Sequence, residues 1–553
     1  MSSTTKRVAA IAVIAAIGIS LAACSGTAAS DTSQSTSSSP VKGQTITWSI
    51  EKDLTTLNPQ LNSQDAYTFV LRNVADSYLY LDDNGDYQPW LAQKFTESKD
   101  RLSITLDLRK DVTFSDGEAF NADAVIANFQ NQLSEDNSNP PVWKSVLKDY
   151  KKTGDYQVQF NLKAVSPKFI EALSSTGTSP ISPKSLKDTK NLETGGSAIS
   201  LIGPYTISGY TKGSELTLKK NDTYQWDKWQ PSELAKEYPG APYAAKQVFR
   251  ILPEASTRTG ALTSKQIDVL YGVPSQDISS FTSDSQYKYD QVLNSGTAYS
   301  LYFNTTKAPF NDIKVRQAVQ KGFDLDAVVK SVYYGTGTRA TEWISPASIF
   351  YDKSFKSEAK FDKTAAGKLL DSAGWNKRDA EGYRTNSDGK RLTINVYSDA
   401  PYIRDSREIL FQAISAELKK NLGVDFQFKA LDVGTVSTKW EQNQNDAFDN
   451  SMGSSDVSGS LDLLLVPWNP ARIFLSEDAK VTDLAAKAKT AASKEERKKY
   501  YTQLQQYVVN DKAYVLPLYI PRDNWASASS VHGFEVSKIA GHLFSTATVW
   551  KDQ

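Results

Sequence analysis

Thiol and imidazole side chains, the groups most used as soft nucleophiles, general bases and transition-metal ligands, are scarce in this 553-residue chain. It holds one cysteine, Cys24, and two histidines, His532 and His542, close together near the C-terminus. Two imidazoles so placed leave a histidine-dependent triad or a multi-histidine metal site almost nothing to build on. The stretch Gly335-Thr336-Gly337-Thr338-Arg339-Ala340 has the outline of a dinucleotide loop. No acidic residue follows at the spacing a βαβ unit requires, so it reads as a turn. Ser145 and Lys148, with Lys152-Thr153-Gly154, have the outline of penicillin-binding motifs, but they crowd together with no S-D-N between them. G-x-S-x-G, H-E-x-x-H and Walker A patterns are absent. A two-carboxylate glycosidase has no fixed spacing to test, and no motif supports one. The reading is a protein that binds without chemistry, with no cofactor and no resident metal.

Cys24 has a different use. Lys6 and Arg7 form a short basic start, residues 8–19 are almost wholly apolar, and Leu21-Ala22-Ala23-Cys24 supplies small residues at a cleavage site. That order describes a secretory signal over residues 1–23, too short in its apolar part to span a bilayer. L-A-A-C resembles the bacterial lipobox, which implies a lipidated Cys24 at the mature N-terminus. Residues 25–39 are Ser, Thr, Ala, Gly and Gln with little else, a composition that cannot bury enough apolar surface to order itself. Residues 24–41 therefore read as a lipidated tether. Two or three acyl chains, each methylene contributing about 0.8 kcal/mol, would hold it on a membrane.

Acidic and basic residues balance at 63 each, and removal of Lys6 and Arg7 with the signal leaves a net of −2. The basic footprint of a nucleic-acid binder is missing. Beyond the signal no apolar run approaches the length of a membrane span. A mature chain near 500 residues exceeds a single core, which stops growing at about 250–300 residues, so two large lobes are expected.

The elements that must position any site are of mixed type. Residues 44–50, 102–108, 216–220, 247–252, 298–304, 392–397 and 424–428 read as strands, several by strict alternation. Asn121 is placed to cap a helix, and residues 362–373 and 404–421 carry helical periodicity, with Gly374 as C-cap of the first. The β-α-β order in the second half points to an α/β lobe. Phe114, Phe129 and Phe310 read as core, and Asp312 with Arg316 as a local helical ion pair.

Five blocks carry a more specific resemblance. LRKDVTFSDGEAFNADAVIANF (108–129), IGPYTISGYTKGSELTLKKNDTY (202–224), YFNTTKAPFNDIKVRQAVQKGFD (302–324), AGKLLDSAGW (366–375) and VLPLYIPRDNW with VHGF (515–534) stand in order along the chain. Together they resemble the family 5 extracellular solute-binding proteins of peptide and nickel ABC importers. The resemblance implies a two-lobed periplasmic-binding-protein-like α/β fold with a two-segment hinge. It places lobe I at 42–296, with an extra subdomain at about 91–190, lobe II at 297–513, and a return to lobe I over 514–553. It further implies a monomer that passes a peptide or peptide-like solute to permease and ATPase subunits on the outer face of the cytoplasmic membrane. A sugar, opine or metal-chelate receptor, or a surface sensor or adhesion lipoprotein, remains as an alternative.

Ligand in open α/β sheets sits at the carboxyl ends of strands, which singles out residues 51–58, 398–402 with Tyr402, and the segment after Phe448. In the resemblance Asp456 stands where peptide-binding members pair an aspartate with the peptide amine, flanked by Gly453 and Ser454. Ser454 replaces the usual tryptophan, and the acidic D-P that normally follows is absent. Asp456 is thus either an amine ligand or a loop aspartate. Tyr67, Trp343, Trp440 and Trp468 are the candidate ligand-facing rings, each with core packing as the commoner use of such a side chain.

Overall fold

TITWSI alternates so that Ile46 and Trp48 point one way, and both are fully buried in strand Thr45–Ile50. The computed structural model describes residues 39–61, 67–134, 141, 143–193, 198–465, 477–537, 539 and 542–553. In it this strand is central to a seven-stranded sheet. It runs parallel to Lys246–Ile251 on one side and to Val269–Tyr271 on the other. Central parallel strands are covered on both faces, which is why Ile46, Trp48, Ser49 and Ile50 are all buried here. Trp48 Nε1 donates to Gln247 Oε1 at 2.8 Å.

A second, six-stranded sheet has the order Thr338–Arg339, Val515–Ile520, Tyr299–Phe303, Ala447–Asn450, Thr393–Asp399, Asp425–Leu431. The chain leaves the first sheet after Leu293 and enters the second at Tyr299. It returns between Ile520 and Arg522. The resemblance implies a return to lobe I at 514, but Val515–Ile520 is buried along its length and pairs with Tyr299–Phe303 in the second sheet. The change of sheet therefore falls at Pro521, whose missing N–H cannot continue a ladder. Asn294 N donates to Pro521 O at 2.9 Å, so the two crossing segments hold each other.

A four-stranded antiparallel sheet, Ala92–Glu97, Ser103–Leu108, Gln157–Leu162 and Leu147–Gly154, shares one hydrophobic core with the seven-stranded sheet. Helix Ala122–Leu133 packs there through Val125 and Phe129, with Asn121 Oδ1 accepting Ala124 N at 3.0 Å as the cap. Phe129 meets Phe160 at 4.6 Å between centroids, and burial of such a ring contributes about 1.5–3 kcal/mol. The turn that feeds this helix needs Gly117, whose φ is +86°.

Two local expectations are corrected. Asp312 caps helix Ile313–Lys321 by accepting Lys314 N, while Arg316 turns inward to donate to Lys512 O at 3.0 Å and to Phe310 O, so the expected ion pair gives way to a buried backbone clamp. The helix read from 404 begins later, as Arg407–Leu422, because Asp405 and Ser406 have φ of +55° and +56°.

Candidate functional site

The carboxyl ends of Thr45–Ile50 and Thr393–Asp399 meet between the two sheets. Lys52, just past the first strand, sends Nζ across to Ala400 O at 3.2 Å and Ile403 O at 2.6 Å. Its own N–H donates to the Tyr67 hydroxyl at 3.0 Å, which places that ring against the same cleft, 6.4 Å from Tyr271 between centroids. Beside Lys52, Glu51 faces Arg258 of helix Ala255–Thr263, with Oε2 to Nη2 at 3.9 Å. Arg258 is fixed by Leu252 O at 2.8 Å and Pro253 O at 2.6 Å.

The opposite wall is Arg404 and Asp405, linked Nε to Oδ2 at 3.4 Å. They ride on two consecutive non-glycine residues in the left-handed region, at Asp405 and Ser406, a backbone state costing roughly 1–3 kcal/mol per residue. The surroundings hold that strain in place. Arg407 stacks on the Tyr299 ring at 4.1 Å and donates to Tyr519 Oη and Tyr402 O, both at 3.0 Å. Tyr299 Oη and Ser398 Oγ in turn donate to buried Asp449 Oδ2 at 2.5 and 2.8 Å. Asp523, at the start of Arg522–Ala528, accepts Asn294 Nδ2 at 3.4 Å and lies near Tyr271 and Arg404.

Burial governs the protonation of this cleft. It raises Glu51, against the opposing pull of Arg258, and lowers Lys52. Asp523 is pushed up to about 7 by burial, opposed by the Tyr271 hydroxyl and by Arg404. A carboxyl raised by desolvation gains from any cation brought to it. Cationic Lys52, Arg258 and Arg404 and acidic Glu51, Asp405 and Asp523 thus share one inter-sheet cleft, which suits a ligand carrying both signs of charge.

The residues expected from sequence divide between this cleft and the core. Tyr67 lies in the cleft, and Tyr402 ends the single turn Ala400–Tyr402 beside Arg407. Trp343 is fully buried and donates Nε1 to Tyr302 Oη at 2.7 Å. Trp440 packs edge-on to Phe448 at 4.8 Å in the same core. Gly453 is exposed, and Ser454 O accepts Ser295 Oγ at 3.0 Å beside the first crossing. Asp456 is buried with both oxygens taken: Oδ2 by Arg497 Nη1 at 2.6 Å, Oδ1 by Tyr501 Oη at 2.5 Å and Ser458 N at 2.8 Å. Cys24, the signal and Trp468 lie outside the described residues. Lys52, Arg258, Arg404, Asp405 and Asp523 were missed as individuals. Lys52 lies inside a loop flagged from sequence and Arg404 two residues beyond another, while nothing local marks Arg258.

This geometry, two α/β lobes on separate sheets with a doubly crossed hinge and a charged cleft between, defines a two-lobed periplasmic-binding-protein-like fold. The profile of bacterial extracellular solute-binding proteins, family 5 Middle, matches residues 86–469, and the chain belongs to that family. It is an extracytoplasmic solute-binding receptor. It is 24% identical over 547 residues to the oligopeptide-binding protein AppA of Bacillus subtilis, covering 95% of each chain. The structure of AppA from Bacillus subtilis in complex with a nonapeptide superposes with a TM-score of 0.76 at 21% identity, over 93% of this chain and 100% of that one. NikA from Brucella suis in complex with Fe(III)-EDTA gives 0.75 at 23% identity, over 90% and 98%. Among the described residues no helix is long and apolar enough to cross a membrane, and no group of three or more His, Cys, Asp or Glu is placed to hold a metal.

Proposed function

We propose that the protein is the capture component of an ABC importer, closing on a peptide or peptide-like solute and passing it chemically unchanged to the permease. Separate ATPase subunits power the step, and diacylated Cys24 keeps the receptor, as a monomer, at the outer face of the cytoplasmic membrane. The observation that carries the solute class is the cleft in which Glu51, Lys52 and Arg258 oppose Arg404 and Asp405. Both charge signs on facing walls match a zwitterion, and relatives named for oligopeptides and bound to a nonapeptide agree with it. Lobe I is taken as 42–296 with its subdomain at about 91–190, and lobe II begins at 297. In this reading Lys52, Arg258 or Arg404 meets the carboxylate and Glu51, Asp405 or Asp523 the amine. Tyr67 and Tyr402 remain candidate contacts, whereas Asp456 is committed to Arg497.

The test is native mass spectrometry of the mature protein before and after denaturation, then calorimetric titration with the released peptide and its C-terminal amide. The expected result is a peptide-sized release and at least about tenfold weaker binding of the amide, the loss of one charge-assisted hydrogen bond. Equal binding of acid and amide, or release of a non-peptide solute, overturns the peptide reading.

A further inference from the structure

A second contact between the lobes lies away from the charged cleft. Helix Pro167–Ser174 is anchored in the first lobe's core by Phe169 and Leu173. From its outer side Glu171 reaches the second lobe, where Oε1 accepts Ser455 N at 2.9 Å and Ser455 Oγ at 2.8 Å. Ser455 immediately precedes Asp456, so two carboxyl groups are brought together. Arg497 Nη1 is bonded to Asp456 Oδ2, and Tyr501 to Oδ1, which leaves one guanidinium for two acids.

The groups around Glu171 come from four elements. Tyr87, on strand Tyr87–Pro89, lies against Ser455 and Glu171. Asp456 stands on the connecting segment, and Arg497 and Tyr501 on helix Lys494–Gln505. Lys168, on Glu171's own helix, faces both Asp462 and Glu171, with Lys489 beside it and Asp462 bonded to Lys489. Burial, then the charge of Asp456, pushes the Glu171 carboxyl up to about 7, although Ser455 opposes the shift.

We propose that the Glu171–Ser455 contact is a proton-dependent latch, such that closing the two lobes takes up a proton at Glu171. Opening returns Glu171 to water while Arg497 stays with Asp456. The carboxyl then titrates as an ordinary glutamate, near 4.3. Between that value and about 7 the closed form binds more protons than the open form, so acidification favours closure and rising pH opposes it. For a difference of this size the closed-to-open ratio increases by roughly 10–100-fold from pH 8 to pH 5.5.

The experiment is small-angle X-ray scattering of the ligand-free mature protein across that range, with circular dichroism confirming the fold at each pH. Wild type is expected to contract on acidification. Glu171→Gln, which mimics the protonated group, is expected to be more compact than wild type at pH 8 and to lose most of the pH response, the remainder belonging to the cleft carboxyls Glu51 and Asp523. Glu171→Ala is expected to be more extended than wild type at each pH. A wild type with constant radius of gyration overturns the proposal without any variant. So does a folded Glu171→Gln that keeps the wild-type pH response. Because no solute is present, failure here is separate from failure of the peptide reading.

Discussion

Asp456 is the residue at which a binding role and a structural role make opposite predictions. Its side chain is 6% exposed and that of its partner Arg497 13%, with a single 2.6 Å contact joining them and Tyr501 and Ser458 completing the carboxylate's bonds. Arg497→Met leaves the carboxylate buried without its counter-charge, a change that costs about 3–5 kcal/mol. Asp456→Asn keeps the shape and the acceptor for Tyr501 but strands the guanidinium, with a loss of similar size expected, about 3–5 kcal/mol. The double variant removes both charges together. Its side-chain amide oxygen at position 456 can still accept from Tyr501 and Ser458, so the double should cost only about 1–2 kcal/mol, less than either single. Urea unfolding followed by tryptophan fluorescence and far-UV circular dichroism measures all three, and the cycle isolates the pair. Calorimetric titration of the double with the native solute should match wild type. Additive losses in the cycle, or singles within about 0.5 kcal/mol of wild type with binding abolished, would refute the structural assignment and restore Asp456 as a ligand residue.

Two further perturbations act on closure and the hinge. Lys52→Met removes the ammonium that bridges to Ala400 O and Ile403 O; charge-assisted bonds of this kind contribute about 1.5–3 kcal/mol, so solute affinity should fall by roughly tenfold or more in the same calorimetric titration, and an unchanged Kd would count against the cleft. Gly296→Ala meets two obstacles, a φ of +86° and a Cβ that would lie 2.0 Å from Met452 O, so scanning calorimetry should show a loss of at least about 1 kcal/mol.

What local sequence can encode was legible in the chain, and what depends on distant partners was not. Strict alternation marked Ser103–Leu108, and Asn121 announced its helix, because strand periodicity and capping involve only neighbouring residues. VLPLYI reads from sequence as the crossing back to lobe I, because an apolar run does not say which of two sheets it joins; that depends on pairing with Tyr299–Phe303, about two hundred residues earlier. The late start of helix Arg407–Leu422 was hidden because Arg404, Asp405 and Ser406 include no glycine to signal left-handed backbone. Asp456 looked available because its neighbours are small and polar. Its partner Arg497 lies on a helix, KEERKKYYTQLQ, whose dense charge reads as a solvated face, and no local pattern says which of those cations turns inward.

The difference between Asp456 and the cleft acids bears on how a closed receptor avoids closing empty. Asp456 is neutralised within its own lobe by Arg497 and Tyr501, so its charge is compensated whether or not solute is present. Glu51 and Asp523 are not: burial raises both, Arg258 lies 3.9 Å from Glu51, and Arg404, which opposes the shift of Asp523, belongs to the other lobe. In the proposed reading, closure around an empty cleft leaves these carboxyls desolvated with incomplete partners, a state penalised by the lost hydration of each charge. A solute amine offsets that penalty only when the lobes are closed on it. Its binding energy is then greater for the closed form than for the open one, and that difference is the condition for a ligand to drive the conformational change at all.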